Sequence, residues 1–324
     1  MRIFIPALAG LAFATAAMAA DPGLPAPHVW QPGVISGVLH DSAPAFTPDG
    51  RTVFFGRSVG AGLPDPAIYV SHRRRDGGWT APEIAPFSGR YSDMEPYIAP
   101  GGRYMIFVSN RPAEPGGKVL DGFYNRQAQP GGGGQLWRVD RVGDHWGEPK
   151  RLPDLINAGT SIFAPAVAAD GSLYFMKPNA ETGRFQLFRA PADGAGGYQA
   201  PAPLPFSDGS VTTVDPAVAP DESFVIFGAG FKPAKALDMF VAFRAADGRW
   251  GRPVHLGEAL NAPGSDAEAR LSPDARTLYF SSERVTDKAP RQPEGWNNGK
   301  YNIWEAPLRP DVWRELRARS LGAG

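Results

Sequence analysis

A phrase of twelve or eleven residues returns five times along this chain of 324 residues. Its copies read PAFTPDGRTVFF, PYIAPGGRYMIF, PAVAADGSLYF, PAVAPDESFVIF and ARLSPDARTLYF, and they begin at Pro44, Pro96, Pro165, Pro216 and Ala269. Successive copies start 52, 69, 51 and 53 residues apart, so the period is near fifty with one enlarged unit. A period of this size is typical of solenoids, propellers and other arrays of one repeated unit.

A second phrase has the same period. It is an aromatic residue followed within three residues by Pro, and it occurs at Trp30, Trp79, Trp146, Tyr198 and Trp250. The enlarged step appears in both phrases, so the extra residues lie between Pro96 and Trp146. Residues 112–134, which are rich in Gly and Pro, are the predicted insertion.

Each unit reads as four short strands. The Pro-Asp element of the first phrase favours a tight turn, because Pro presets φ and Asp bonds its own backbone. The apolar runs on either side are rich in β-branched and aromatic residues and have the length of buried strands. The chain has 39 Gly and 34 Pro, which favour turns between such strands. The sequence therefore predicts an all-β fold, a β-propeller of five four-stranded blades.

The order of the units predicts how the ring closes. The chain begins with a Trp phrase and a fourth strand over residues 30–39, and it ends with a first, second and third strand over residues 269–308. We therefore expect the N-terminal strand to complete the last blade, which removes two exposed strand edges. Trp313 could open a sixth unit, and six blades are the alternative, but only eleven residues follow it.

The motif Ser272-Pro273-Asp274, followed by Leu278-Tyr279-Phe280, resembles the TolB-like, WD-repeat-like propellers of bacterial periplasmic proteins. The resemblance covers residues 28–308 and consists of turn and core residues. It implies the propeller fold and carries no functional residue across.

The N-terminal residues predict export. Arg2, an apolar run and Ala17-Met18-Ala19 have the pattern of a signal peptide over residues 1–19. Residues 20–324 then form a single domain without a transmembrane segment, periplasmic or secreted, and we expect a monomer. The chain has no Cys, and 33 basic residues balance 33 acidic ones. Thiolate chemistry is therefore excluded, and nucleic acid is not an expected partner.

Propeller topology assigns the loops to two faces. The links between blades and the loops joining second to third strands emerge on one face, which we call the loop face. The Pro-Asp turns and the turns before the Trp phrase emerge on the other, the turn face. The long or unusual loops 112–134, 229–237 and 285–300 all belong to the loop face, where binding is usually located.

Acidic residues begin several innermost strands at the same face. Asp41, Asp93 and Asp266 stand three residues before the repeat phrase, and Glu95, Asp215 and Glu268 stand one residue before it. On regular strand alternation all six share one side and converge on the central channel. Three interpretations stay open: structural pairing with Arg111 or Arg284, catalytic carboxylates, and a calcium site that uses Asp93, Glu95, Asp266 and Glu268.

The leading hypothesis is a non-catalytic binding module that uses its loop face to hold a protein, peptide or envelope glycan. No cofactor is required, and Ca²⁺ is the one candidate. The ligand-binding candidates are Arg111, Arg284, Trp296 and His40. The alternative is a carbohydrate-active enzyme, similar to glycoside hydrolases, with carboxylates around the central pocket.

Overall fold

The computed structural model describes residues 23–60, 65–231, 236–286 and 295–322. These residues form five antiparallel sheets arranged as the blades of a propeller, which confirms the predicted fold. The blades are numbered here by their innermost strands, which are His40–Phe46, Asp93–Ile98, Phe163–Val167, Thr213–Val218 and Asp266–Leu271. The second strands are Thr52–Ser58, Tyr104–Ser109, Leu173–Pro178, Phe224–Ala229 and Thr277–Ser282.

The outer half of each blade follows the same order. The third strands are Ala67–His72, Gln135–Val142, Phe185–Ala190, Asp238–Phe243 and Asn302–Pro307. The fourth strands are short: Glu83–Ile84, Lys150–Arg151, Ala202–Pro203, Val254–His255 and His28–Val29, with His145–Trp146 as an additional pair in blade 2. The second strands supply much of the core, because their apolar side chains are buried on both faces.

An N-terminal strand closes the ring, as predicted, but it lies just before Trp30 and not within residues 30–39. His28–Val29 pairs antiparallel with Asn302–Pro307, so the N-terminal strand is the outermost strand of blade 5. The six-bladed alternative is wrong. Trp313 lies in a C-terminal helix, Pro310–Leu321, and its ring packs 4.9 Å from Phe224 of blade 4. Pro310 suits the first turn of a helix and Gly322 ends it in the left-handed conformation.

The five turns between first and second strands share one geometry. The fourth residue of each turn has a positive φ and donates its N–H to the carbonyl three residues earlier. These residues are Gly50, Gly102, Gly171, Glu222 and Ala275, with φ of 64, 68, 89, 58 and 53°. Glu222 and Ala275 therefore adopt a conformation that favours Gly, and the departures of their turns from the repeat leave the fold unchanged.

Each innermost strand carries a bulge near its start. The pairing with the second strand shifts register there, and the residue just before the repeat phrase has a left-handed φ of 48 to 55°. The five bulge residues are Ala43, Glu95, Ala164, Asp215 and Glu268. A bulge re-aims a side chain relative to regular alternation, so the bulge residues differ in direction from the acids two positions earlier.

The predicted insertion is a hairpin on the loop face, Gly122–Tyr124 paired with Gln127–Gln129. It leaves blade 2 and lies against blade 3, where Tyr124 packs 6.0 Å from Phe163 and 5.2 Å from Phe185 between ring centroids. The predicted signal peptide, residues 1–19, lies outside the described residues. None of the helices that the structure describes has the length and apolarity to cross a membrane.

Candidate functional site

The six acidic residues fall into two sets. Asp41, Asp93 and Asp266 each pair with an arginine of the same blade, at 2.5, 2.8 and 2.8 Å between side-chain N and O. The partners are Arg57, Arg111 and Arg284. Burial raises the pKa of all three aspartates, and the guanidinium beside each opposes that rise. These pairs tie the start of the first strand to the end of the second, which is the structural role that the sequence allowed.

Two of the predicted ligand-binding residues, Arg111 and Arg284, are buried. They are 8% and 7% exposed, and their other donors bond the backbone of the preceding link, at the carbonyls of Phe87 and Leu260. The Arg111 guanidinium lies 5.1 Å from the ring of Trp137, and Arg284 lies over aromatic rings of blade 5 in the same way. Each arginine thus bonds an aspartate of its own blade and a carbonyl of the preceding link, and so connects the two.

Trp296, a third predicted ligand-binding residue, is buried as well. It is 7% exposed, and its ring meets that of Trp304 edge to face at 5.6 Å. Its position outside the repeat suggested an exposed aromatic residue, but the ring belongs to the core of blades 4 and 5. His40 does lie at the loop face, partly exposed, with its ring 4.7 Å from that of Tyr301.

The second set, Glu95, Asp215 and Glu268, occupies the bulges of blades 2, 4 and 5. Two of these carboxylates accept a hydrogen bond from the bulge of the next blade. Glu95 Oε2 accepts the Ala164 N–H at 2.6 Å, and Asp215 Oδ2 accepts the Glu268 N–H at 3.3 Å. Each contact joins one blade to the following one. The bulges thus form a partial ring of hydrogen bonds around the central channel.

Electrostatics link the three bulge carboxylates to one another. Burial, and then the charges of Asp215 and Glu268, raise the pKa of Glu95 to about 8. Burial and the charge of Glu268 raise the pKa of Asp215 to about 7. Burial thus favours the protonated form of Glu95 and Asp215, which would be ionised in water, while Glu268 is partly exposed.

Two residues at this site were missed by sequence reasoning. Arg270 lies two residues after Glu268, and its charge lowers the pKa of both Glu95 and Asp215. Tyr301 lies just before the third strand of blade 5, and burial, Glu268 and Asp215 raise its pKa. The alternation of the innermost strand could have identified Arg270 as a channel residue, whereas Tyr301 reaches the site only through ring closure.

The calcium prediction stays a prediction. Asp93 and Asp266, two of its four candidate ligands, face guanidinium groups. Among the residues that the structure describes, no group of three or more His, Asp or Glu side chains is arranged to hold a metal ion. Of the candidates, only Glu95 and Glu268 line the channel.

Exposed apolar side chains concentrate on the loop face. Nine large apolar side chains in the described ranges are exposed, and seven of them belong to loops of this face. The seven are Val34, Val38, Val59, Val119, Phe123, Leu155 and Val285. Apolar residues gathered on one face, on loops held by a rigid scaffold, are typical of a surface that contacts a partner.

Comparison with known proteins supports the architecture. No family model and no curated protein matches the chain. Among solved structures, an endo-arabinase from Bacteroides thetaiotaomicron matches 85% of this chain and 97% of its own, with a TM-score of 0.54 and 11% identity. An α-L-arabinofuranosidase from Lactobacillus brevis matches 85% of this chain and 93% of its own, with a TM-score of 0.53 and 13% identity.

A candidate TolB from Agrobacterium tumefaciens matches 83% of this chain and 90% of its own, at 14% identity and a TM-score of 0.48. That score is too low to argue from. The two arabinan-related neighbours share the fold of this chain, and identities of 11 and 13% say nothing about its activity. Beyond the propeller fold, the TolB-like resemblance stays a prediction.

Proposed function

We propose that this protein is an exported binding propeller that docks a protein or peptide of the cell envelope on its loop face. The observation that carries the proposal is the concentration of exposed apolar side chains there, seven of the nine in the described ranges. Buried, paired arginines and the aspartates that hold them make the blades beneath this face a rigid support.

Phe123 is the proposed anchor for the partner. Its side chain is 59% exposed on the first strand of the insertion hairpin, opposite Ala128. The hairpin itself is fixed to blade 3, because the Phe123 N–H donates to Ser161 Oγ at 2.8 Å and the Asn125 N–H donates to the Gly183 carbonyl at 2.9 Å. An aromatic residue held this way loses little conformational entropy on binding, which favours a role as a hot spot.

The apolar character of the face favours a protein or peptide over a glycan. Sugar rings stack on exposed aromatic faces, and the tryptophan that the sequence suggested for this, Trp296, is buried. The other exposed apolar side chains of this face are valines and a leucine, which suit an apolar peptide segment better. We therefore place the glycan second among the ligands of this face.

Site-specific photo-crosslinking in the producing cell tests the proposal. A photoreactive phenylalanine at position 123 is compared with one at position 142, because Val142 is 67% exposed but lies on the turn face. We expect a discrete protein adduct from position 123 that is competed by purified wild-type protein and not by Phe123→Ser. Equal adducts from both positions, or none from position 123, would contradict the loop face as the docking surface.

A glycoside hydrolase is the second candidate, and the bulge carboxylates favour it. Such enzymes need one protonated and one ionised carboxyl group facing each other across a pocket. Glu95, whose pKa is raised to about 8, could supply the protonated group, and Glu268 is the candidate for the other carboxyl group. Against this, Glu95 already accepts a backbone N–H of the next blade.

Activity assays separate the two candidates. Arabinan and an aryl α-L-arabinofuranoside are the substrates suggested by the neighbours of the same fold. Hydrolysis that is lost in both Glu95→Gln and Glu268→Gln, and retained in Glu148→Gln, an exposed carboxyl group of blade 2, would establish the enzyme. If the wild-type protein leaves both substrates intact while position 123 still gives its adduct, the binding function stands alone.

A further inference from the structure

The central channel opens on the turn face into a cavity of about 120 Å³. Four of the five Pro-Asp type turns supply its rim, through Pro48, Pro100, Pro220 and Pro273. These prolines repeat with the blades and appeared from the sequence to be architecture alone. In the structure they surround an opening whose wall includes one charged side chain, Arg270.

Arg270 is only 2% exposed, although it lines this cavity. Its Nη1 donates to the Ala269 carbonyl at 2.8 Å. Its Nε and Nη2 have no hydrogen-bond partner among the described residues. A buried donor without a partner costs about 1 to 3 kcal/mol, so a guanidinium with two such donors is an unusual feature for a purely structural residue.

The two free donors lie on the same edge of the guanidinium plane. Nε–H and Nη2–H point in parallel, and this edge is one that carboxylates bind with two hydrogen bonds. The rest of the wall is largely apolar and includes Ala45, Phe46, Ile98 and Val218. A planar anion with an apolar stem fits such a wall, whereas a hydrated inorganic ion would have to give up water without gaining partners from the apolar side chains.

We propose that the turn-face cavity binds a carboxylate group carried on a short apolar stem, with Arg270 as its anchor. The volume of about 120 Å³ approaches that of an engineered cavity of about 150 Å³ that holds benzene. It therefore admits a carboxylate with a few carbon atoms. The carboxylate comes either from a free short-chain acid or from the C-terminus of a peptide, which share this chemistry.

The charges around Arg270 are compatible with an anionic ligand. The carboxylates of Glu95, Asp215 and Glu268 interact with one another and lie beyond Arg270 toward the loop face. Burial raises the pKa of Glu95 and Asp215, which reduces the negative charge that faces Arg270. Tyr97 flanks the guanidinium, with its ring centroid 5.6 Å from Cζ, and fixes its plane at the cavity wall.

Calorimetric titration of the wild-type protein with four probes tests the proposal. The probes are butyrate, its neutral analogue butyramide, and the tripeptide Ala-Ala-Val with a free or an amidated C-terminus. We expect saturable binding of a carboxylate probe and none of its amide. Tighter binding of butyrate identifies a free acid as the source, and tighter binding of the peptide acid identifies a peptide C-terminus.

Variants locate the binding at Arg270. Arg270→Lys keeps the positive charge but removes the two-donor edge, so we expect carboxylate affinity to fall by at least about tenfold. Arg276→Gln, an exposed arginine on the same face and blade, is the matched control and should bind as the wild type does. Circular dichroism checks that both variants are folded.

Three results would overturn the proposal: no saturable binding of either carboxylate in the millimolar range, equal binding of acid and amide, or unchanged affinity in a folded Arg270→Lys. The comparison of acids with amides needs only the wild-type protein, so it decides the question even if Arg270→Lys does not fold. Loss of the loop-face crosslink leaves this result unaffected, because the two faces are tested separately.

Discussion

Replacing Glu95 by glutamine should change how the stability of this protein depends on pH. Glu95 is 7% exposed, and its Oε2 accepts the Ala164 N–H at 2.6 Å. Glutamine keeps the size of the side chain and an oxygen that can accept this hydrogen bond, but it cannot ionise. The substitution therefore separates the charge of Glu95 from its role as a contact between blades 2 and 3.

The magnitude follows from the pKa of Glu95. It is about 8 in the folded protein against 4.5 in the unfolded chain. Between these two pH values, Glu95 therefore carries a proton in the folded state and has lost it in the unfolded state. The contribution of Glu95 to the free energy of unfolding is therefore fully present below pH 4.5 and falls by about 1.4 kcal/mol per pH unit until pH 8. This interval limits the loss from Glu95 to about 5 kcal/mol.

Urea unfolding at pH 5 and pH 8.5 measures the effect. Glu95→Gln should be close to the wild type in its free energy of unfolding at pH 5 and more stable than it at pH 8.5, by up to several kcal/mol. Glu148→Gln, which removes an exposed carboxyl group from the same blade, should follow the wild type at both. If the Glu95→Gln and wild-type values differ by the same amount at both pH values, within about 0.5 kcal/mol, the protonated state of Glu95 is refuted.

Three further predictions concern the turns and the channel. Glu222 accepts hydrogen bonds from Tyr174, Arg189 and Arg244 and so joins blades 3 and 4; Glu222→Gln should lower the free energy of unfolding by about 3 kcal/mol, and a loss below about 0.5 kcal/mol in chemical denaturation would show that the network adds nothing. Ala275 has a φ of 53° in its turn; Ala275→Gly should raise stability by about 0.5 to 1 kcal/mol, and a decrease in the same measurement would show that the turn is unstrained. If calcium binds in the channel, millimolar CaCl₂ should raise the melting temperature of the wild type more than MgCl₂ does, and an unchanged melting temperature removes the calcium prediction.

Sequence reasoning located the turns and strands well because their signals are local. A Pro-Asp turn between two apolar runs uses contacts within about ten residues, so each copy of the phrase predicts its own hairpin. The insertion hairpin was located by the same logic, as a break in a regular period. The C-terminal helix was missed, because its stability comes from packing Val312, Trp313 and Leu316 on blades 4 and 5, far away in the sequence.

The candidate site was only half predicted. Regular alternation placed Asp93 and Glu95 on the same side of one strand, and the same applied to Asp266 and Glu268. The bulge between the members of each pair separates them, so that Asp93 pairs with Arg111 and Glu95 turns to the channel. A one-residue change in pairing is decided by contacts with the next strand, and the repeat phrase alone does not contain them.

The sequence by itself determined the architecture: five repeats, the length of each strand, the position of the insertion and closure by the N-terminal strand. Each of these follows from short-range chemistry repeated at a fixed period. Only the tertiary structure decided which groups meet. Arg270 and Glu95 are 175 positions apart in the sequence, and Tyr301 stands farther still from His40. Ring closure brings such groups together around one channel. Burial there raises the pKa of carboxyl groups that would be ionised in water.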